Sequence, residues 1–510
     1  MDSDLIVRHE CLVLIACTLL AVVLRLWNAE TAFVHDDEKH YARDAAWAYT
    51  SLPAADVVAF LRNHPRDHVF IDTERREFER WGEEGRYPHL GHPAFYAIVL
   101  GILTAATPPE SLDGAAHQGR RLNAVADSAV VPLLPPLLAA LGFTSAVGLV
   151  AAFLYAVYPP AVAYGSLAYA DPFLAPLFLA SLVLLLRSPS TPRNAILAGV
   201  ATGLLIATKQ TGLVALGVLP VLVMALAPDR IRMLLLWGLA TSAVLVLLVN
   251  PAAYLDCVLH PLDPYARLRP NPLRTLADNL WFLTRPYDWY WLGYSKHGRP
   301  LAAAIAPLHH LLTPAILWLF ALGLVWLAAL RKWAVALAIY LPVVAVLPLL
   351  PPSDGAWRVH MVAPLIVAGA TVTLTQGRLA ARAFALLVAC ALGLYPLLPA
   401  TAARTSLADL LRADTRLGAR QPHGLYDPLR RPLVLYVDPT IEIHRVLWLR
   451  PGSYELDLAA STWTTATLDG DVLVSGMAGS VPFEVDRRLH RFELKFMEAG
   501  TLESFSIKPR

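Results

Sequence analysis

From the N-terminus to about residue 400 the apolar positions come in blocks, not in an amphipathic period, and short polar stretches separate the blocks. The blocks fall at 11–27, 121–141, 144–160, 172–187, 195–208, 211–227, 232–250, 306–330, 333–350, 360–376 and 383–399. Runs of this length predict bilayer-crossing helices, because a backbone exposed to lipid must satisfy its own hydrogen bonds. The apolar segment 92–107 is shorter and is expected to be re-entrant or interfacial. After Arg404 the pattern changes to a period of two, as in Leu433-Val434-Leu435-Tyr436-Val437 and Arg491-Phe492-Glu493-Leu494-Lys495-Phe496. Broken at Pro451-Gly452, Asp469-Gly470 and Ala499-Gly500, it predicts an antiparallel β domain, a small sandwich. The expected fold class is a polytopic α-helical membrane protein of about eleven transmembrane helices with a C-terminal extracytoplasmic β-rich domain. The domain boundary is drawn at 403/404, giving a transmembrane domain 1–403 and a β domain 404–510.

Basic residues orient the helices. Arg187 and Arg193, Arg230 and Arg232, Arg331 and Lys332, and Arg378 and Arg382 occupy every second short loop, whereas the alternate loops carry little beyond Lys209 and Arg358. Basic loops face the cytoplasm, so the long loops 28–120 and 251–305 and the β domain are expected outside. A full crossing by 92–107 would invert every later loop, and parity therefore argues against it.

Composition agrees with a lipid solvent: 56% of the 510 residues are hydrophobic and 16% charged, which excludes an ordinary soluble enzyme. A net charge of +2 gives no reason to expect a nucleic-acid partner. Of the four cysteines, Cys11 and Cys17 lie in the first block and Cys390 in the last, leaving Cys257 in a polar loop, so no disulfide framework is expected.

Chemistry concentrates at the predicted outer rim. Just after the first helix stands Val34-His35-Asp36-Asp37-Glu38-Lys39-His40-Tyr41, three successive carboxylates flanked by histidines. Such a cluster beside a helix bundle reads either as a functional site or as a solvated loop. Asp171, in Tyr169-Ala170-Asp171-Pro172, reads equally as a second acidic site or as a helix N-cap with proline following. Lys209, Arg120, Arg121 and Arg358 with His360 are the cations on that side, either snorkelling or contacting an anionic lipid phosphate. Trp448, Tyr454 and Trp463 are expected in the β-domain core, with a sugar-stacking surface as the other reading.

Taken in order, these residues resemble the GT-C superfamily of membrane glycosyltransferases, in particular those similar to protein O-mannosyltransferases and lipid A aminoarabinose transferases. The resemblance rests on Asp37-Glu38 with Tyr41, His92-Pro93 with Tyr96, Arg121-Leu122, Asp171, Gly203-Leu204 with Lys209, and Arg358-Val359-His360 with Pro364. It covers about residues 1–400 and departs from the family at His92-Pro93-Ala94, where a second proline is usual. It implies transfer of a sugar from a polyprenyl-phosphate donor to a hydroxyl acceptor at the outer face of a bacterial plasma membrane. Asp37 would be the general base, Glu38 its support and Asp171 a further catalytic acid. Arg358, then Lys209, then Arg121 would hold the donor phosphate, with Asp36, His40, Tyr41, His92 and His360 around the substrates. Asp36 leaves the identity of the base open by one position. Family members differ in metal use, so a divalent ion on Asp36, Asp37 and Asp171 is an open expectation. The competing readings are a transporter or flippase, disfavoured by rim charges and the lack of an internal repeat, and a lipid-diphosphate polymerase or ligase using the arginines of loop 251–305.

Overall fold

The chain is seen in a computed structural model, which describes residues 3–31, 38, 41, 95–109, 112–187, 191–248, 299–347, 360–376, 382–383, 385–386, 388, 400–401, 405–406, 435–437, 442–449, 451–486, 489–498 and 500–510.

The first helix, α1 (Ser3–Thr31), shows how the apolar blocks are used. Cys17, Ala21, Arg25 and Asn28 recur at helical spacing and are buried, while Leu12, Ile15, Leu19 and Val23 are exposed. The polar stripe faces inward and the aliphatic stripe outward, the reverse of a helix in a water-soluble domain. The same outward aliphatic surface continues on later helices through Leu235, Leu239, Leu247 and Val325, so hydrocarbon, not water, is the solvent that fits the bundle. By length and composition, His9–Glu30 and Gly114–Ala140, the latter with a break at Ala129, are the two helical stretches among the described residues long enough to cross a bilayer, accompanied by eight shorter apolar helices.

The helices that follow are α2 (Phe95–Ala106), α3 (Leu112–Ser128), α4 (Val130–Ala140), α5 (Ser145–Val157), α6 (Pro159–Tyr164), α7 (Asp171–Leu186) and α8 (Pro192–Thr208). After them come α9 (Val214–Leu226), α10 (Met233–Leu248), α11 (Arg299–Ala329), α12 (Trp333–Val346) and α13 (Ala363–Gln376). Two boundaries differ from the sequence reading. Residues 112–120, assigned to the outer loop, are the first part of α3, because buried Ala115, Ala116 and Arg120 continue one helical face into Asn123 and Asp127. The block 121–141 is also interrupted at Ala129, beyond which α4 carries Pro135 and Pro136 in its interior. Segment 92–107 contributes α2, whose buried face is Tyr96, Ala97, Leu100, Gly101 and Thr104.

One contiguous apolar core runs through α4, α5, α7, α9, α12 and α13. In α13 every residue from Ala363 to Thr373 is buried. Helices α8 and α10 lie backbone to backbone, because Gly199 and Gly203 leave no space between them and the Trp237 carbonyl and Val244. Thr191 caps α8, its hydroxyl accepting from the Asn194 N–H at 3.2 Å, with Pro192 in the first turn.

The C-terminal region forms β1 (Ala400–Thr401), β2 (Thr405–Ser406), β3 (Leu435–Val437), β4 (Glu442–Trp448), β5 (Gly452–Leu468), β6 (Asp471–Val485), β7 (Leu489–Phe496) and β8 (Gly500–Pro509). Its order is β1-β4-β7-β5-β8-β2, with β3 on β8 and β6 on β5. The pairs are antiparallel except β1 with β4. Two separate sandwich sheets were expected, but the ladder is continuous through β5. One edge of β5 follows β6, while the other pairs with β8 over residues 454–460 and then with β7 over 464–468. Register shifts between Ala459 and Thr464 mark the change of partner. The expected turn at Asp469-Gly470 joins β5 to β6 with both residues at positive φ, 54° and 99°, the two-residue geometry that suits the twist of a hairpin. Tyr454 is core, stacked on Phe483, whereas Trp463 is half exposed and donates through its indole N–H to Ser475.

Candidate functional site

Between α6 and α7 the chain leaves helical geometry at Gly165 and returns to it at Asp171, and this buried turn is the organising feature of the site. Asp171 does not cap the helix. It is the first residue of α7, with Pro172 second, and the N-cap position belongs to Ala170, which makes no side-chain cap. The carboxylate is therefore released from capping and reaches Lys209, whose ammonium lies 2.6 Å from Oδ2. Lys209 sits in an extended break (φ −160°, ψ 146°) between α8 and the single 3-10 turn Gln210–Leu213 that leads to α9. Both side chains are almost fully buried, yet Oδ1 of Asp171 has no hydrogen-bond partner among the described residues. A buried carboxylate held at one oxygen and open at the other retains the capacity to accept a further hydrogen bond.

Glu38 is arranged differently. Arg120 on α3 grips it with two nitrogens, Nε to Oε2 at 2.6 Å and Nη2 to Oε1 at 2.5 Å, in a fork that matches carboxylate geometry. Oε2 also accepts the Ala168 N–H at 2.8 Å, and Arg120 donates further to the Ala29 carbonyl at 3.3 Å. Glu38 thus joins the end of α1, α3 and the 165–170 turn. Tyr41, one helical turn along the sequence from Glu38, packs edge-on to Tyr96 with ring centres 5.7 Å apart and against Tyr169 at 5.6 Å. Asn123 adds a second tie to the turn, its amide donating to the carbonyls of Leu167 and Tyr169.

Deeper in the bundle lies a second ionic cluster. Asp127 on α3 accepts from Arg25 Nε at 2.6 Å through Oδ2, and Oδ1 receives the Tyr155 hydroxyl at 2.9 Å and meets His360 Nε2 at 2.6 Å. Arg25 also donates to the carbonyls of Ala21, Ala156 and Tyr155, and its guanidinium lies over the Tyr155 ring. Arg25 and Asp127 have no solvent exposure and His360 almost none. Gly165 lies against the cluster, since a Cβ there would stand 2.5 Å from Asp127 Oδ2. Removing charges from water costs several kcal/mol each, which close pairing of this kind offsets; His360 Nδ1 has no partner among the described residues.

The structure therefore brings together Glu38, Tyr41, Asp171 and Lys209 around the 165–170 turn, and engages His360 with Asp127. Arg121 is not beside them: it is exposed and paired with Glu30 at 2.5 Å. Asp36, Asp37, His40, His92 and Arg358 lie outside the described residues, as do Cys257 and Cys390. Among the described residues no group of three or more His, Cys, Asp or Glu side chains stands close enough to share a metal ion. At Asp171 the neighbouring ammonium opposes a divalent cation, so these residues do not fit a metal centre at that end. Reading for rim charges passed over Arg25, Asp127 and Asn123. The available signal was an ionisable residue inside an apolar run, which both Arg25 and Asp127 are.

These residues fall largely within a stretch that matches a known family. Residues 109–260 match the dolichyl-phosphate-mannose-protein mannosyltransferase family. The mannosyltransferase match contains Arg120, Asn123, Asp127, Asp171 and Lys209 and agrees with the resemblance drawn from the ordered motifs. Similar solved structures include ArnT from Cupriavidus metallidurans bound to undecaprenyl phosphate, 16% identical over 73% of this chain and 62% of that one, with a TM-score of 0.43. The archaeal oligosaccharyltransferase AglB from Archaeoglobus fulgidus, in complex with an inhibitory peptide and a dolichol-phosphate, is 15% identical over 76% of this chain and 54% of that one, with a TM-score of 0.45. The arabinosyltransferase EmbB from Mycobacterium smegmatis is 12% identical over 97% and 64%, with a TM-score of 0.30. The chain thus spans less than two thirds of the length of each of these structures. No protein of curated function matches the sequence.

Proposed function

We propose that this chain is an inverting membrane glycosyltransferase that moves a sugar from a polyprenyl-phosphate donor to a hydroxyl acceptor at the extracytoplasmic face. The observation that carries the reading is the buried Asp171–Lys209 pair with one carboxylate oxygen open, placed inside the segment that matches a polyprenyl-phosphate-sugar-dependent family. In this reading Asp37, beside the braced Glu38, removes the acceptor's proton as its oxygen attacks the anomeric carbon from the face opposite the phosphate. The bond from anomeric carbon to phosphate oxygen breaks, the new glycosidic bond forms, and the lipid phosphate departs with the electron pair. Inversion follows from the single displacement. Arg358 and Lys209 are the cations assigned to the leaving phosphate, whose developing charge they stabilise. Arg121, turned toward Glu30, is assigned a steering role at the surface. Asp171 binds a sugar or acceptor hydroxyl through Oδ1, and no step is routed through a metal ion.

The test is transfer by purified protein in nanodiscs supplied with a panel of polyprenyl-phosphate sugars, comparing wild type, Asp37→Asn and Asp36→Asn. Turnover kept in Asp36→Asn and lowered about 10²-fold or more in Asp37→Asn is expected. No turnover with any donor, together with ion-dependent uptake into vesicles that requires the same acids, overturns the reading in favour of a transporter.

A further inference from the structure

Asn123 is buried on α3 beside the turn that ends in Asp171. Its amide nitrogen faces two backbone carbonyls, those of Leu167 and Tyr169, the latter at 2.8 Å, and the Tyr96 hydroxyl at 3.2 Å. A carbonyl can only accept, so the nitrogen and not the oxygen of Asn123 must point at the turn. Asn123 Oδ1 is consequently left buried with no partner among the described residues, a cost incurred to aim the donors. Between the two carbonyls, the Ala168 N–H is taken by Glu38. Three successive residues of a buried, non-helical segment are thus engaged by side chains, beside the turn's own backbone bonds from the Leu167 N–H to the Tyr164 carbonyl and from the Tyr169 N–H to the Leu167 carbonyl. One helical turn earlier on α3, a Cβ at Gly119 would stand 2.9 Å from Ala168 Cβ and 3.2 Å from the Tyr96 hydroxyl, so α3 is seated directly on the turn.

Only Ala170 separates Tyr169 from Asp171, the first residue of α7. Any displacement of the turn therefore moves the carboxylate relative to Lys209 and to whatever Oδ1 contacts. We propose that Asn123 is a positioning residue for the transfer reaction: its amide straps the 167–169 backbone so that Asp171 presents its open oxygen to a substrate hydroxyl. This rests on the glycosyltransferase reading above. The strap touches no substrate and acts entirely through Asp171. Glu38 secures the turn from the α1 side, and Asn123 supplies the side-chain donors to the two carbonyls, of which that of Leu167 also accepts the Tyr169 N–H. Leucine keeps the branched heavy-atom skeleton of asparagine, with bulkier methyl groups, and lacks these donors.

The test is a double-mutant cycle on the full chain in nanodiscs, with the polyprenyl-phosphate sugar that the wild type turns over, read by single-turnover transfer over long times so that slow variants stay measurable. Asn123→Leu is expected to lower kcat about 10²-fold while the donor KM changes less than about threefold, as for a misplaced group remote from the donor lipid. Asn123→Leu combined with Asp171→Asn is expected to be no slower than Asp171→Asn alone, because a strap has no effect once the group it positions is lost. Tyr96→Phe, which removes a single hydroxyl from the amide, is the milder second variant; its few-fold loss should likewise vanish in the Asp171→Asn background, and it carries the cycle if Asn123→Leu does not fold. Losses that multiply in the double variants overturn the inference while leaving the transferase reading intact. A wild type without turnover on any donor overturns that reading, and the inference with it.

Discussion

Asp127 and Asp171 are both buried carboxylates in one helix bundle, and they differ in how fully their hydrogen-bonding capacity is met. Asp127 has every direction filled: Arg25 at one oxygen, Tyr155 and His360 at the other, with Gly165 closing the remaining side. Asp171 has Lys209 at one oxygen and no partner among the described residues at the other. Burial is common to both; what differs is the saturation of hydrogen-bonding capacity, and the proposed function assigns the unsaturated acid to substrate. The first carboxylate ties α1, α3, α5 and the segment leading into α13; the second ties the start of α7 to the break after α8.

The comparison can be broken most decisively at Asp127. Asp127→Ala leaves Arg25 and His360 buried without their shared partner, and a loss of about 3–5 kcal/mol is expected. Thermal melting of the full chain in detergent should show it as a large drop in midpoint, with reduced yield of folded protein. A variant that melts like the wild type but has lost transfer would assign Asp127 to the chemistry and erase the distinction. Asp171→Asn sharpens the same contrast from the other side. An amide oxygen still accepts from Lys209, so the stability cost should be smaller, about 1–3 kcal/mol, while transfer falls about 10²-fold or more. Stability lost with activity retained per folded molecule would move Asp171 into the scaffold.

The smallest effect belongs to charges that water screens. On the β domain, Lys508 meets Asp457 at 2.7 Å and Glu455 at 3.5 Å, and Ser480 donates to Glu455 at 2.7 Å. The Ser480 hydrogen bond first, then Lys508, holds Glu455 below the usual carboxylate range. Lys508 first, then Ser480, does the same for Asp457, and Asp457 in turn raises Lys508. For the two depressed carboxylates, the stabilisation is present above their unfolded values and is lost as pH falls through the folded ones. For the raised lysine it is present below the ordinary lysine value and is lost as pH rises through the folded one. The protection of the β5 amides, taken relative to the intrinsic exchange rate at each pH, should therefore fall slightly at both extremes and be flat between about pH 5 and 9. High salt should flatten it further. A strong acid dependence in β5 would make this exposed trio behave like the buried clusters and remove the contrast.

Much of this was legible in the residues. The apolar blocks announced the helices, because a lipid-facing helix needs no amphipathic period. The alternation after residue 433 and the Asp469-Gly470 pair announced strands and a hairpin, because those signals are local. Glu38, Tyr41, Asp171 and Lys209 could be singled out from their order along the chain. Asp171 read equally as a cap or as an acidic site because Asp-Pro is a strong local signal, and only the tertiary partner at the far end of α8, with α7 beginning at Asp171 itself, removes the cap reading. Arg121 was preferred over Arg120 from motif order, yet the helical face of α3 buries Arg120 on Glu38 and turns Arg121 to Glu30. Adjacent residues on a helix point about 100° apart, and sequence alone does not say which of them faces inward.

By itself the sequence determined the lipid-solvated helical bundle, the β-rich C-terminal region and the set of acids and cations from which a site is built, since each depends on local pattern or composition. The tertiary structure decided how those charges are paired. Arg25 with Asp127, Glu38 with Arg120 and Asp171 with Lys209 are contacts across 102, 82 and 38 residues of chain. In a medium of low dielectric an ionic group is stable only when its partner arrives at bonding distance. Which oxygen remains open is fixed by how the helices converge on the turn at 165–170.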